Sequence, residues 1–418
     1  MTKCPAAELT RTPGEPEFCG LRDIGVIVAD YNPGANSRRL YFHTPMHASS
    51  TQQDPLVSVV VPAWNAERTI VETLRSLLSQ TYQALEIVVV DDGSSDSTAD
   101  KVKQMATEFP QLRLILQPNR GVAAARNAGV RSSRGEYVAA VDADDLWFPE
   151  AAQMLVTALG SAGPDVAIAY GWSLTIDERG QADGGQICSR VAGRVYATLL
   201  CHNFIGNASA TMFRRTAFDA VGGYDSRFHE HGVQGCEDWD LYLRLAESYR
   251  FCVVPQFLVG YRKSGDSMSA ALSSMAESHG YLLQKAKDRH PRIPSALTRL
   301  STSSFYIHLA KECRNQANSR ESYRWWRRAL GEGRLFTVIH PETYGLAASV
   351  LMDRLRPSGG KRLVLGHGAK PESAGGADSV SSSRFPGTIP KLSFRSRIRL
   401  LLQGMLHAAV RRVPATYR

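Results

Sequence analysis

The chain has 418 residues, enough for two or three domains, and its 43% hydrophobic and 21% charged content is ordinary for a globular protein. Its net charge of +9 is local: residues 351–418 hold 13 Lys/Arg against 3 Asp/Glu, while residues 1–350 hold 36 against 37. A body without a basic excess argues against a nucleic-acid partner, because binding the phosphate backbone takes many cations.

Residues 1–55 are rich in Pro, Gly, Ser and Thr and form an N-terminal extension. Its one short apolar run, "IGVIVADY", carries no functional reading. The pattern sharpens at Leu56. "LVSVVVP" is a β-branched run ended by proline, as a central parallel strand would be. A helix follows in "NAERTIVETLRSLLSQTY", with Ile70, Leu74, Leu77 and Leu78 on one face. "LEIVVVDDGSSDSTADKVKQMATEF" repeats strand, polar turn and helix. "LRLILQ" and "GVAAARNAGVRSS" add a third strand and helix, and "YVAAVDADD" a fourth strand. Such alternation predicts an α/β fold on a mostly parallel sheet, with ligands at the carboxyl ends of the strands.

Beyond residue 165 the pattern is mixed. "DVAIAYGWSLTI" reads as a strand. "ASATMFRRTAFDAVGGYD" reads as strand, short helix and Gly turn. "CEDWDLYLRLAES" reads as a helix with an acidic start, and "FCVVPQFLVGYR" as a strand pair or extended segment. Residues 275–350 are mainly helical in pattern. Residues 357–390 are Gly, Ser and Pro rich and read as a linker. The tail reads as a basic amphipathic helix. In it Ile398, Leu401, Leu402, Met405 and Leu406 share one face, with Arg395, Arg397, Arg399, Arg411 and Arg412 around its ends. Two readings of the tail stand side by side: an anchor on a membrane surface, or a helix packed on the body.

The seven cysteines are scattered, odd in number and without a CxxC pair, as suits reduced thiols. Neither a secretory apolar core nor a run of about 18 apolar residues is seen, so the expected location is cytoplasmic, peripheral on the inner membrane face if the tail binds there.

Three acidic clusters carry chemistry. In "VVVDDGSSDST", Asp91 and Asp92 end a buried strand. Turn and helix-cap roles explain Ser94, Ser95 and Asp96, but less well two adjacent acids there. An acid in that place can accept hydrogen bonds from a base or ribose. In "YVAAVDADDLW", Asp142, Asp144 and Asp145 fall within four positions after an apolar strand. A solvated acidic turn is the common fate of such a run. Its placement instead suits oxygen ligands to Mg²⁺ or Mn²⁺, ions that share their coordination with substrate phosphates. In "CEDWDLYLRLA", Glu237, Asp238 and Asp240 open a helix. They serve there as dipole-favoured cap residues or, for one facing a cleft, as a general base. Arg120 and Arg126, in "NRGVAAARNAG", are placed to neutralise phosphate.

The ordered set "VSVVVPAWNAERTIVETLRSLLSQTYQALEIVVVDDGSSDST", "NRGVAAARNAGV", "GEYVAAVDADDLWFPE" and "EDWDLYLRL" resembles the family-two glycosyltransferases over about residues 56–265. The resemblance implies a GT-A fold with a nucleotide-binding half, 56–150, and an acceptor half, 151–265. A helical extension, 266–356, then precedes the linker and the tail, 391–418. It implies inverting, metal-dependent transfer from a nucleotide-diphosphate sugar to a hydroxyl of a glycan or lipid-linked acceptor, as in surface or exopolysaccharide assembly. It places Pro62, Ala63 and Asn65 at the nucleoside, Asp92 at the base or ribose, and Asp142, Asp144 and Asp145 at the metal and ribose. It makes Asp238 the catalytic base. One departure is Ser264 in "YRKSGDSMS", where many members carry His; His229 and His231 are the nearby substitutes. A rival of another class is a nucleotide-sugar-binding assembly protein that keeps the fold without catalysis.

Overall fold

The computed structural model describes residues 54–263, 272–316, 318–334, 337 and 392–410. The N-terminal extension, Ser264 and the linker lie outside these residues.

The first half is built as the alternation predicts. Strands β1 (Val57–Ala63), β2 (Leu85–Asp91), β3 (Leu112–Leu116) and β4 (Tyr137–Ala140) alternate with helices α1 (Ile70–Leu78), α2 (Thr98–Glu108) and α3 (Val122–Arg131). All four strands are parallel, in the order β3-β2-β1-β4. β1 is buried throughout because helices cover both faces of the sheet, which explains its unbroken Val run. Ile70, Leu74 and Leu77 of α1 are buried against it.

The second half extends the same sheet. It comprises β5 (Leu146–Trp147), α4 (Ala151–Ser161), β6 (Val166–Ile176), β7 (Ala182–Ile187), α5 (Tyr196–Cys201), β8 (Thr211–Arg214), α6 (Arg215–Ala220), α7 (Arg227–Glu230), α8 (Glu237–Ser248) and β9 (Arg250–Arg262). The order continues β4-β8-β6-β9-β5, with β7 also on β6. β8, β5 and β7 run against the direction of the rest, so the sheet is mainly parallel. "FCVVPQFLVGYR" forms one strand, not a pair. Its register against β6 shifts between Val253 and Phe257, and Pro255, which has no N–H to donate, falls inside the shift.

Helices α9 (Leu272–Arg289), α10 (Ser295–Asn315) and α11 (Ser319–Glu332) follow. They share one core with the sheet: a single cluster runs from Val60 and Val90 through Trp239 and Leu243 to Leu282, Phe305 and Trp325. Helix α12 (Phe394–Val410) packs near α5 and β7. Cys188, Cys201, Cys236, Cys252 and Cys313 are free and buried.

Candidate active site

The carboxyl ends of β1, β2 and β4 form one edge, as their register requires: Ala63 pairs with Asp91, and Val60 with Ala140. Pro62 and Ala63, expected at the nucleoside, are buried strand residues, and Ala63 lies in the core. The residues that emerge are Trp64, 60% exposed, and Asn65, which takes a left-handed φ of 49°. Asn tolerates that region better than most residues. The Asn65 N–H donates to Ser94 Oγ (2.9 Å), and its Oδ1 accepts from the Ser95 N–H (2.9 Å). Asn65 thus laces the loop after β1 to the loop after β2.

Asp92 is buried, and both its oxygens are engaged. Oδ1 accepts from the Arg120 N–H (2.9 Å) and Gln117 Nε2 (2.7 Å), and Oδ2 from the Gly121 N–H (2.8 Å). Its carboxylate therefore fixes the entry to α3. Asp91 spends one oxygen on the Ser94 N–H (2.7 Å). Gly121 starts α3 at φ 84°, and a Cβ there would strike the His229 ring. His229 therefore belongs to this same corner, with Gln234 Nε2 3.0 Å from its Nδ1. His231 instead stands edge-on to Tyr281 of α9.

The acidic turn after β4 finds its positive partners inside the protein. Arg126 of α3, 5% exposed, donates to Asp142 Oδ1 (2.5 Å) and lies over the Tyr224 ring, 5.2 Å from its centroid. Burial opposes the guanidinium charge, but Asp142 outweighs it and holds the group firmly protonated. Arg126 is thus a buried counter-charge to Asp142. Arg262, at the end of β9, is the second partner. Its Nε donates to the Asp144 carbonyl (2.7 Å), its Nη1 to the Asp177 and Glu178 carbonyls (3.0 Å each), and its Nη2 to Glu72 Oε2 (2.8 Å).

The three acids of the turn separate into three roles. Asp145 is fully buried: Oδ2 accepts from Ser209 Oγ (2.5 Å) and Oδ1 from the Arg262 N–H (2.9 Å). It links β9 to the turn at Ala208–Ala210. Asp142 remains partly exposed on Arg126. Among the described residues, no other residue's side chain or N–H donates to the carboxylate of Asp144. Burial, with Asp142 beside it, pushes its acid up to about 6. Among the described residues no three His, Cys, Asp or Glu converge as a ready-made metal cage. A pair of carboxylates with one unpartnered member is still a fitting donor set for Mg²⁺ or Mn²⁺, which commonly take one or two carboxylates and complete their shell with water and phosphate.

The opening of α8 also sorts its acids. Glu237 Oε2 accepts from the Gly235 N–H (2.8 Å). Asp240 is fully buried and paired to Arg244 (2.8 Å) and to Lys285 of α9 (2.8 Å). Asp238 has a partly exposed side chain and, among the described residues, accepts only from the Trp239 N–H, its next neighbour (2.7 Å). Burial raises its acid to about 6; Glu237 and Asp142 add to the rise and Arg126 opposes it. Asp238 and Asp142 therefore both act on the Arg126 guanidinium. The sequence reading missed Tyr224, Ser209, Arg262 and Trp64. "GGYD" and "VGYR" contain two of them, but nothing local marks them as partners of an acidic turn 80 or more residues away.

Residues 58–222 match the Glycosyl transferase family 2 family. Over this stretch the chain is similar to the family 2 glycosyltransferases. The chain is 29% identical over 206 residues to the chondroitin synthase of Escherichia coli, which covers 48% of this chain and 28% of that protein. It is 29% identical over 263 residues to the putative glycosyltransferase EpsE of Bacillus subtilis, covering 62% of this chain and 87% of that one. The chain spans about a quarter of the length of the chondroitin and hyaluronan synthases it matches. Among solved structures, it is similar to residues 1–349 of S. aureus TarS in complex with UDP-GlcNAc, with a TM-score of 0.46 and 19% identity over 66% of this chain and 80% of that one.

Proposed function

We propose that this protein is a glycosyltransferase that moves a sugar from a nucleotide-diphosphate donor to an acceptor hydroxyl with inversion, in the assembly of a surface or secreted polysaccharide. The observation that carries this reading is the gathering of Asp142, Arg126 and Asp238: Arg126 donates to Asp142, which follows β4 at the carboxyl edge of the sheet, and the charges of Asp142 and Asp238 both act on its guanidinium. Asp144 and Asp142 would hold a divalent cation, Mn²⁺ or Mg²⁺. When bound, that ion supplies a Lewis acid that stabilises the departing diphosphate. Asp238 accepts the proton of the attacking hydroxyl. The new bond forms at the anomeric carbon as the bond to the diphosphate oxygen breaks, so one displacement inverts the centre and needs no carboxylate nucleophile. Trp64 offers an exposed ring for stacking on the base, with Asn65 and Asp91 as polar neighbours. Asp92 and Arg126 support the site from behind.

The proposed catalytic unit is 56–265, with its nucleotide half at 56–150. The names of the relatives favour a polymer-forming acceptor, free or lipid-linked. A panel of nucleotide-diphosphate sugars screened by thermal shift and by slow hydrolysis, with and without Mn²⁺, tests the reading. One donor raising Tm and being hydrolysed only with metal supports it. A chain that no donor stabilises and that hydrolyses none would instead be the non-catalytic assembly protein.

A further inference from the structure

Helix α12 satisfies neither reading of the tail alone. It packs on the body, yet its apolar side faces away. The docked face is mostly polar. Ser396 Oγ donates to Gln186 Oε1 (2.8 Å), Arg399 Nη1 to the Gln186 carbonyl (3.0 Å), and His407 Nδ1 lies 2.7 Å from Thr198 Oγ1. Leu400, at its margin, packs on the small cluster of Trp172, Leu174, Cys188 and Phe257. The opposite face carries Phe394 (76% exposed), Ile398 (38%), Leu401 (49%), Leu402 (42%) and Met405 (66%). At about 100° per residue these five occupy a sector roughly 100° wide. Arg395 and Arg397, both exposed, border that sector on its two sides. From Ser379 to Arg418 the sequence holds eight Lys/Arg and no Asp/Glu.

We infer that the outward face of α12 is a docking surface for an anionic lipid bilayer. An apolar stripe between flanking arginines, on a helix too polar to cross a membrane, is the chemistry of an interfacial helix lying in the headgroup plane. The charge argues for this occupant over a second copy of the chain: two such faces would bring arginine onto arginine with no carboxylate between them. The placement also connects to the site. Gln186, the anchor of α12, pairs with Leu174, which pairs with Gly260, which pairs with Leu146, the residue after Asp145. Three strand steps are about 14 Å. Docking by this face would hold the acidic edge close to the bilayer, whatever the acceptor.

Co-sedimentation of the full chain with phosphatidylcholine vesicles, with and without phosphatidylglycerol, tests the inference. The stripe is exposed, so its variants keep the fold, and circular dichroism checks that they do. The parent should bind the anionic vesicles and release in high salt. Leu401→Gln with Met405→Gln should lower partitioning at least about tenfold, and Arg395→Gln or Arg397→Gln about fivefold each. A parent that ignores anionic vesicles, or variants that bind as the parent does, would overturn it. So would a lipid-free dimer that Leu401→Gln with Met405→Gln dissociates, which would assign the face to a second copy.

Discussion

Asp238 and Asp145 are both acids that burial pushes up, but they differ in how many partners hold them. Asp238 carries a charge that the fold disfavours. Its acid is raised to about 6 by burial and by Glu237 and Asp142, so the native state binds the proton more tightly than the unfolded chain does. Stability contributed in this way is complete below the unfolded value near 4 and is lost as pH rises through 6. Asp238→Asn keeps the acceptor for the Trp239 N–H but never ionises. It should therefore raise unfolding free energy by about 1–3 kcal/mol at pH 8 and by nothing measurable at pH 4. The same change should lower transfer about 10²–10⁴-fold while donor affinity holds. Donor affinity that collapses in step would make Asp238 a binding residue. Burial, with Asp144 and Asp142 beside it, raises the Asp145 acid as well, but here the fold also needs both oxygens as acceptors. Asp145→Ala leaves the Arg262 N–H and the Ser209 hydroxyl buried without partners, at a cost of about 2–4 kcal/mol in a urea melt, with metal or without. An Asp145→Ala protein as stable as its parent would mean that these two contacts do not hold the fold and would favour Asp145 as a metal ligand.

At the scale of elements, what the sequence shows is what has a period or a long apolar run. β1, β2, α1, α3 and α8 were legible for that reason. β5 is two residues long, and β7, "ADGGQI", has no apolar alternation, so neither leaves a pattern to read. Arg262 escaped for a different reason. It acts largely through main-chain carbonyls of Asp144, Asp177 and Glu178, and a carbonyl has no signature in the sequence. The acid clusters were found, but which acid in each cluster faces the cleft depended on partners supplied by other elements. The small residues of α3 were legible as packing. Gly129 is where this is tightest: a Cβ there would collide with Val60 of β1 and approach Val90 of β2 to 3.1 Å. Gly129→Ala improves helix propensity, yet it should destabilise by about 1–3 kcal/mol because both valines lie in the sheet core. A thermal melt at or above that of the parent would mean that α3 can lift off the sheet at little cost, and that Arg126 is held less rigidly than its ion pair with Asp142 implies.

For the whole molecule, the question is whether the C-terminal helices are an appendage or part of the fold. His279 of α9 marks the joint. Its ring lies parallel to Phe305 of α10, centroids 4.3 Å apart, and near Trp239 of α8, which follows Asp238. Nε2 is 3.0 Å from Ser301 Oγ, and the residue is 1% exposed. Burial alone depresses its pKa to about 3. The unfolded chain takes the proton near 6.5, so below that pH the native state loses ground until its own value near 3 is reached. At pH 5 the loss from this one ring is about 2 kcal/mol. Asp144 and Asp238 gain protons in the native state over the same range and act in the opposite direction, so the parent's curve alone would hide the effect. The difference between parent and His279→Phe isolates it. The variant should differ by a constant amount above pH 7 and become progressively more stable than that offset predicts as pH falls to 5. Because one core runs from Val60 through Trp239 and Phe305 to Trp325, far-UV and tryptophan signals should melt together in both proteins at every pH. Separate transitions would make α9–α11 an independent unit, and a pH-independent difference between the two proteins would mean that His279 reaches solvent before the fold opens.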